Sequence, residues 1–391
     1  MLSYDPFSPE VIEDPYPHYR RLRDQAPAYY AEAYDTWFLS RFSDVWNAGS
    51  DRKSFTATRG VAPAQVMLGE TVGMQPSIAV MDPAAHTEMR ALIADHFKPG
   101  RVASLEAPIR EMTRDCLEGL ASRGAGDVVA ELASHVTVRV SCRLLGMPIE
   151  DADYLVDLVT RFFTRADEPQ GTSDDGTEAY QKMLDYLTEF SRRRRGADGA
   201  WSDVCQAFRA AEPGSSLSDE HMASHLFLLV TGATETLPRV FAKLVYRLWE
   251  HPEQRAEVAS SPALIPDAIQ ETLRYDMPTQ MLGRRLARDL ELHGQRMRAG
   301  QGILFLYASA NRDEREFPDP DRFDIHRRAP RIASFGSGIH MCIGSHVARL
   351  EARVMLEELL ARFPEYEIDT EHIVPLRSEM HHGFAVVPIH V

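Results

Sequence analysis

Residues 335–344 read Phe-Gly-Ser-Gly-Ile-His-Met-Cys-Ile-Gly, and no other stretch narrows the possible folds of this chain so sharply. The apolar residues Ile343, Val347, Leu350 and Val354 recur at helical spacing, which predicts a helix starting at about Cys342. A glycine-punctuated loop therefore delivers one cysteine to a helix N-terminus, where free amides point back toward the sulfur. Amide hydrogen bonds and the positive helix end both favour a thiolate there, and a metal would complete the deprotonation. Glycines let the backbone approach a flat ligand closely. A lone cysteine usually ends as an inert core residue. Three glycines, an aromatic ring and a histidine close by make Cys342 instead a candidate axial ligand for iron.

The bulk numbers exclude several alternatives. The chain has 391 residues, 44% of them hydrophobic, with 24 prolines and no Ser/Gly-rich linker or charge block to divide it, so one large globular domain over residues 1–391 is expected. Its net charge of −15 argues against nucleic acid or an anionic membrane as partner. The first residues lack a basic region followed by an apolar stretch, and no run reaches the roughly 18 apolar residues of a membrane span. A cytoplasmic location is the expectation. Cys116, Cys142, Cys205 and Cys342 are scattered, without the spacing of a zinc site or a disulfide framework.

Along the chain, Asp14-Pro15-Tyr16-Pro17 opens a short helix that ends before Pro27. Tyr29-Tyr30 and Trp37-Phe38-Leu39 read as two short strands, as do Leu290–Leu292 and Ile303–Leu306 nearer the C-terminus. Helical patterning dominates from about residue 84 to 275. Residues 56–80 form an apolar loop of the kind that lines ligands, and residues 166–178 separate two helices where a lid could hinge. The fold class is mainly α with a minor β region.

Three further constellations carry chemistry. Glu271 and Arg274 lie three apart on one helix face and can pair. Asp82-Pro83 starts a helix on which His86 and Arg90 are i, i+4 neighbours, so two donors face one place. The stretch from His225 to Pro238 starts apolar nearly all round, as a buried central helix should. It then gathers Thr231, Gly232, Ala233, Thr234, Glu235 and Thr236 just before Pro238. The proline lacks an N–H, which leaves the Thr234 carbonyl without its helical partner and kinks the turn before it.

The cysteine segment resembles the haem-binding signature of the cytochrome P450 family, Phe-Gly-x-Gly-x-His-x-Cys-x-Gly, and Ala348, Arg349 and Glu351 fit its extension. The resemblance implies a cytochrome P450 fold, with haem b buried between a central kinked helix and the helix that carries the cysteine ligand. Cys342 would supply the thiolate whose electron density favours O–O cleavage, with Phe335, Gly336 and Gly344 shaping its loop. Glu271 and Arg274 match the family's Glu-x-x-Arg helix, and Arg322, in Phe317-Pro-Asp-Pro-Asp-Arg-Phe323, matches the arginine that joins them in a structural triad. His86, Arg90, Arg284 and His340 would meet the porphyrin carboxylates, although Arg285 beside Arg284 leaves open which of the two turns inward. The central helix resembles the oxygen-activation helix, Thr236 bonding dioxygen and Glu235 relaying protons. Ala233 stands where a glycine is usual.

The same alignment builds the substrate pocket from Met67, Leu68, Met74, Phe162, Leu228, Thr231, Gly232, Gln280, Leu282 and Phe384. These are mostly apolar, with Gln280 and Thr231 able to orient one oxygen, which suits a compact terpenoid, steroid or aromatic substrate. The implied activity is hydroxylation with dioxygen and two electrons drawn ultimately from NAD(P)H. A ferredoxin or flavodoxin would deliver them, and Arg101, Arg110, Arg114, Arg349 and Arg353 are the candidate docking cations. Peroxide-driven haem-thiolate chemistry and a haem-binding sensor without turnover are the competing functions.

Overall fold

The computed structural model describes residues 2–69, 76–164, 171–195, 203–209 and 217–391. The helix Asp219–Thr234 runs through the middle, capped by Ser218, whose hydroxyl accepts the His221 amide at 3.1 Å. It is buried along most of its length because the helices His135–Leu145 and Asp174–Arg195 pack against it. At Glu235 the helix breaks, and a second segment continues as Thr236–Glu250. The break falls in the turn before Pro238, as the missing N–H requires.

Beside this axis the helix Ser345–Arg362 packs against Glu106–Arg123 and Ile265–Tyr275. A five-stranded sheet closes one side in the order Ala28–Ala31, Thr36–Leu39, Gly302–Leu306, Met281–Leu286, Phe55–Thr56. Trp37 pairs with Ile303 in the parallel ladder, and Leu282 pairs with Phe305 in the antiparallel one. Gly302–Leu306 is buried throughout, as a central strand covered on both faces must be.

The mainly helical class and the short strands at 28–31, 36–39, 290–292 and 302–306 match the sequence reading. Two details differ. The apolar stretch 56–80 includes a short helix, Pro63–Met67, and its residues 70–75, with the candidate Met74, lie outside the described residues. So does 165–170, the first part of the expected hinge. Among the described residues no helix is long and apolar enough to cross a membrane.

Candidate active site

The cysteine loop is held by backbone geometry before any side chain acts. The Cys342 amide donates to the Phe335 carbonyl at 2.8 Å, and Ser337 Oγ donates to the Trp46 carbonyl at 2.8 Å. Gly338 has φ +69° and sits against the Gly49 carbonyl, so a side chain there would be both strained and obstructed. The helix begins at Ser345, three residues later than the apolar spacing suggested, because residues 338–340 form a 3-10 turn that ends at Met341. The amide argument survives the shift. Burial pushes the Cys342 thiol up, while the Gly344 and Ser345 amides and the guanidinium groups of Arg90 and Arg349 pull it down. Arg349 lies over the Phe335 ring at 4.4 Å from its centroid.

Cys342 forms one wall of a cavity of about 350 Å³, and the break in the central helix forms the opposite wall through Gly232, Ala233 and Thr236. Leu228, Leu229, Leu282, Ile78, Met277 and Pro278 make the cavity predominantly apolar. At one edge stand Arg90, Arg284 and His340, with His86 behind them at 4.3 Å from the His340 ring centroid. Both ring nitrogens of His86 are buried with no hydrogen-bond partner among the described residues. Burial, followed by the neighbouring arginines, holds the His86 imidazole down at about 4. Four donors converging on a cavity edge with orphaned nitrogens call for an anion. The two carboxylates of a porphyrin supply one, and the flat glycine loop beneath them fits its ring.

Arg284, not Arg285, faces this edge. Arg284 is buried and lines the cavity, whereas Arg285 bonds the Val66 and Gly300 carbonyls on the opposite face of the strand. Strand alternation separates neighbours in this way.

The structural triad needs a correction. Arg274 grips Glu271 through Nε at 2.8 Å and Nη2 at 2.6 Å, but the second arginine on that carboxylate is Arg327, whose Nε lies 3.1 Å from Glu271 Oε1. Arg322 contributes only its backbone carbonyl, which accepts from Arg274 and Arg327. The turn Asp319–Arg322 aims that carbonyl inward and its side chain elsewhere, and nothing in the spacing distinguishes one arginine of the meander from another. Asn311 was missed as well. It accepts the Ala333 amide at 2.7 Å and donates to Ser334 Oγ at 2.8 Å, tying the meander to the start of the cysteine loop.

On the central helix, Thr236 lines the cavity and its hydroxyl donates back to the Gly232 carbonyl at 2.7 Å. Glu235 is buried beside Arg239, its carboxylate oxygens 3.2 Å from Arg239 Nη2. It does not line the cavity.

The expected substrate pocket is only partly assembled. Leu228, Gly232 and Leu282 line the cavity, as do Thr279 and Tyr307. Gln280 instead accepts from the Tyr19 hydroxyl and donates to the Met277 carbonyl, and Thr231 bonds back to the Phe227 carbonyl, so both polar groups are already engaged. Phe162 belongs to an aromatic cluster with Phe163, Tyr180 and Phe227. Phe384 sits under the Lys243 ammonium at 3.8 Å, on the far side of the helix. Met67 is buried away from the cavity and Leu68 is exposed. The docking cations change too. Arg110, Arg114 and Arg353 are tied to Glu106, Glu357 and Glu358, three arginines against three glutamates, and Arg349 faces the cavity.

Comparisons with known proteins agree with this geometry. A family model described as "Cytochrome P450" matches residues 263–388, the stretch that includes the Glu271 helix, the meander and the cysteine loop. A Mycobacterium tuberculosis protein named "Putative cytochrome P450 123" is 37% identical and covers 100% of this chain and 97% of its own length. The "Vitamin D(3) 25-hydroxylase" of Pseudonocardia autotrophica is 33% identical over 99% of this chain and 96% of its own. The crystal structure of CYP109E1 from Bacillus megaterium in complex with testosterone superposes with a TM-score of 0.88 at 26% identity, covering 98% of this chain and 99% of that one. A catalytic cavity of this build, in a chain alike from end to end to proteins of one family, means that this chain belongs to the cytochrome P450 family, as a haem-dependent monooxygenase.

Proposed function

We propose that this P450 hydroxylates a neutral, compact and largely apolar molecule of the steroid or terpenoid kind, taking electrons in the cytosol from a ferredoxin or flavodoxin. The observation that carries the reading is the distribution of charge around the cavity. Among the described residues, every cationic side chain of the cavity wall, Arg90, Arg284 and Arg349, lies with the cysteine loop and the porphyrin-carboxylate edge, while the wall toward Ile78, Leu228, Leu229, Pro278 and Leu282 is uncharged. An anionic substrate would find no partner there and would lose its hydration without return. Thr279 is a polar group on that side able to orient an oxygen. The sterol-like molecules printed in the names of two similar proteins are consistent with that wall.

Haem b, when bound, supplies dioxygen activation, and the residues proposed to hold it are Cys342 at the iron and His86, Arg90, Arg284 and His340 at the carboxylates. Thr236 presents its hydroxyl to the cavity, and Glu235, its neighbour, relays protons from water toward it. Phe335, Gly336 and Gly344 keep the loop close and dry. Titration of the ferric protein with testosterone, vitamin D3, camphor and a charged fatty acid tests the reading. A blue shift of the Soret band is expected with the neutral ring systems. A response to the fatty acid alone would overturn it. Cys342→Ala should abolish the thiolate-type spectrum of the reduced carbonyl form, and its retention would remove Cys342 as the ligand.

A further inference from the structure

His221 and His225 lie one turn apart on the central helix Asp219–Thr234, and the same stripe runs on through Leu228, Leu229 and Gly232, which line the cavity. His221 therefore stands two turns beyond Leu228, about 10 Å along the axis. Its ring stacks on His225 at 5.2 Å between centroids, with 21° between the planes, and His225 stacks in turn on the buried Phe208 of the helix Asp203–Arg209 at 4.5 Å. Three rings in a row fix the plane of the imidazole. From there His221 Nε2 lies 2.8 Å from the Pro76 carbonyl, a group 145 residues away along the chain. A carbonyl only accepts, so Nε2 carries the hydrogen. Directly after Pro76, Ser77 and Ile78 are buried, the Val80 amide donates to the Ser77 carbonyl at 2.9 Å, and Ile78 and Ala79 form part of the cavity wall.

We propose that His221 is a positioning residue for the substrate, tying the Pro76–Ala79 stretch to the central helix and so fixing the spacing of two cavity walls. The inference rests on the neutral-substrate reading for the molecule that fills the cavity. Leu228 and Leu229 on the helix and Ile78 and Ala79 on the segment after Pro76 come from distant parts of the chain, so nothing local sets the gap between them. The His221–Pro76 bond spans it. Burial of Ile78 also holds the segment, but apolar contact is non-directional and tolerates sliding, whereas a hydrogen bond has a preferred length and angle. The stack adds the rigidity. An imidazole already held between an aromatic neighbour and its own helix loses little rotamer freedom when it bonds, which a long flexible donor would not match. His221 touches no reacting atom and acts through the wall it holds.

The test uses the haem-loaded protein as wild type, as His221→Phe, which keeps a ring on His225 but has no donor, and as His221→Gln, whose side-chain amide keeps the donor at a similar reach. Amide hydrogen exchange at residues 77–80 should quicken about 2- to 10-fold in the Phe form, as expected for the loss of one hydrogen bond, and stay at the wild-type rate in the Gln form. Soret titration with testosterone should follow the same order, the Phe form binding about 2- to 10-fold more weakly and the Gln form like wild type. His221→Ala, with neither ring nor donor, stands in if the Phe form loses haem. A folded Phe or Ala form with wild-type exchange and affinity overturns the inference, and so does a Gln form as loose as the Phe form. A change in exchange without a change in affinity, or the reverse, also overturns it. If the charged fatty acid alone moves the Soret band, the neutral-substrate reading fails, and the same comparison made with that acid then decides the role of His221.

Discussion

Two buried Glu–Arg pairs lie one turn apart along their helices, Glu271–Arg274 and Glu235–Arg239, and they are built to opposite ends. In the first, the bonds are 2.6 and 2.8 Å, the Asp324 amide and Arg327 add to the carboxylate, and Arg274 also reaches the carbonyls of Asn311, Pro320 and Arg322. In the second, the bonds are 3.2 and 3.3 Å, and the arginine reaches the Phe384 carbonyl. Short, branching bonds in a dry interior make a rigid brace, and removing one member leaves stranded charges. Longer bonds, at the first turn after a helix break, make a weaker hold. The brace sits behind the cysteine loop, where a haem demands a fixed geometry. The second pair sits at the break in the central helix, beside the threonine that lines the cavity.

The largest expected effect comes from breaking the brace. Glu271→Gln strands Arg274 and Arg327 and should cost about 3–5 kcal/mol, with loss of haem incorporation seen in the reduced carbonyl spectrum and in thermal unfolding. Glu235→Gln should keep haem and the thiolate spectrum but slow product formation about 100-fold or more in steady-state turnover. If both variants lose haem equally, the contrast between the pairs is wrong. Within the brace, Arg327→Ala should cost about 1.5–3 kcal/mol in urea unfolding as a charged hydrogen bond is lost, whereas Arg322→Ala should stay within about 0.5 kcal/mol because its role is a backbone one.

The smallest effect concerns acid. His225, on the helix that ends just before Glu235, stacks on Phe208 at 4.5 Å with both ring nitrogens buried and without a hydrogen-bond partner among the described residues, and burial holds its imidazole down at about 3. A folded-state value below the ordinary value of 6.5 means that the neutral ring is favoured by folding, so the stability it contributes is full above about pH 6.5 and drains away as pH falls toward 3. His225→Leu should flatten the loss of stability between those limits in acid unfolding curves. An unchanged slope would assign the acid lability elsewhere, the brace included.

Much of the site was legible because its parts are local. The cysteine loop, the Pro83 helix carrying His86 and Arg90, and the break before Pro238 each follow from residues within one or two turns. The errors fall where a side chain's direction depends on distant backbone. Arg322 and Arg327 look alike in sequence, and only the path of the meander turns one of them onto Glu271. Gln280 was a polar group available in sequence, but the distant Tyr19 hydroxyl engages it in the fold, whereas Thr231 is taken by its own helix, at the Phe227 carbonyl one turn back. Phe384 follows the same pattern, claimed by Lys243 and Arg239 from the other side of the central helix.

The sequence by itself determined the family, the mainly helical architecture, the helix break and the cysteine at the cavity, since periodicity, glycine geometry and proline chemistry act over a few residues. Tertiary structure alone decided that Arg284 and not Arg285 lines the cavity, that Arg327 completes the brace, and that three of the expected docking arginines are neutralised by glutamates. For the brace and the docking arginines the reason is the same. A charged side chain goes where a partner from another part of the chain can satisfy it, and only the folded arrangement brings that partner within about 3 Å.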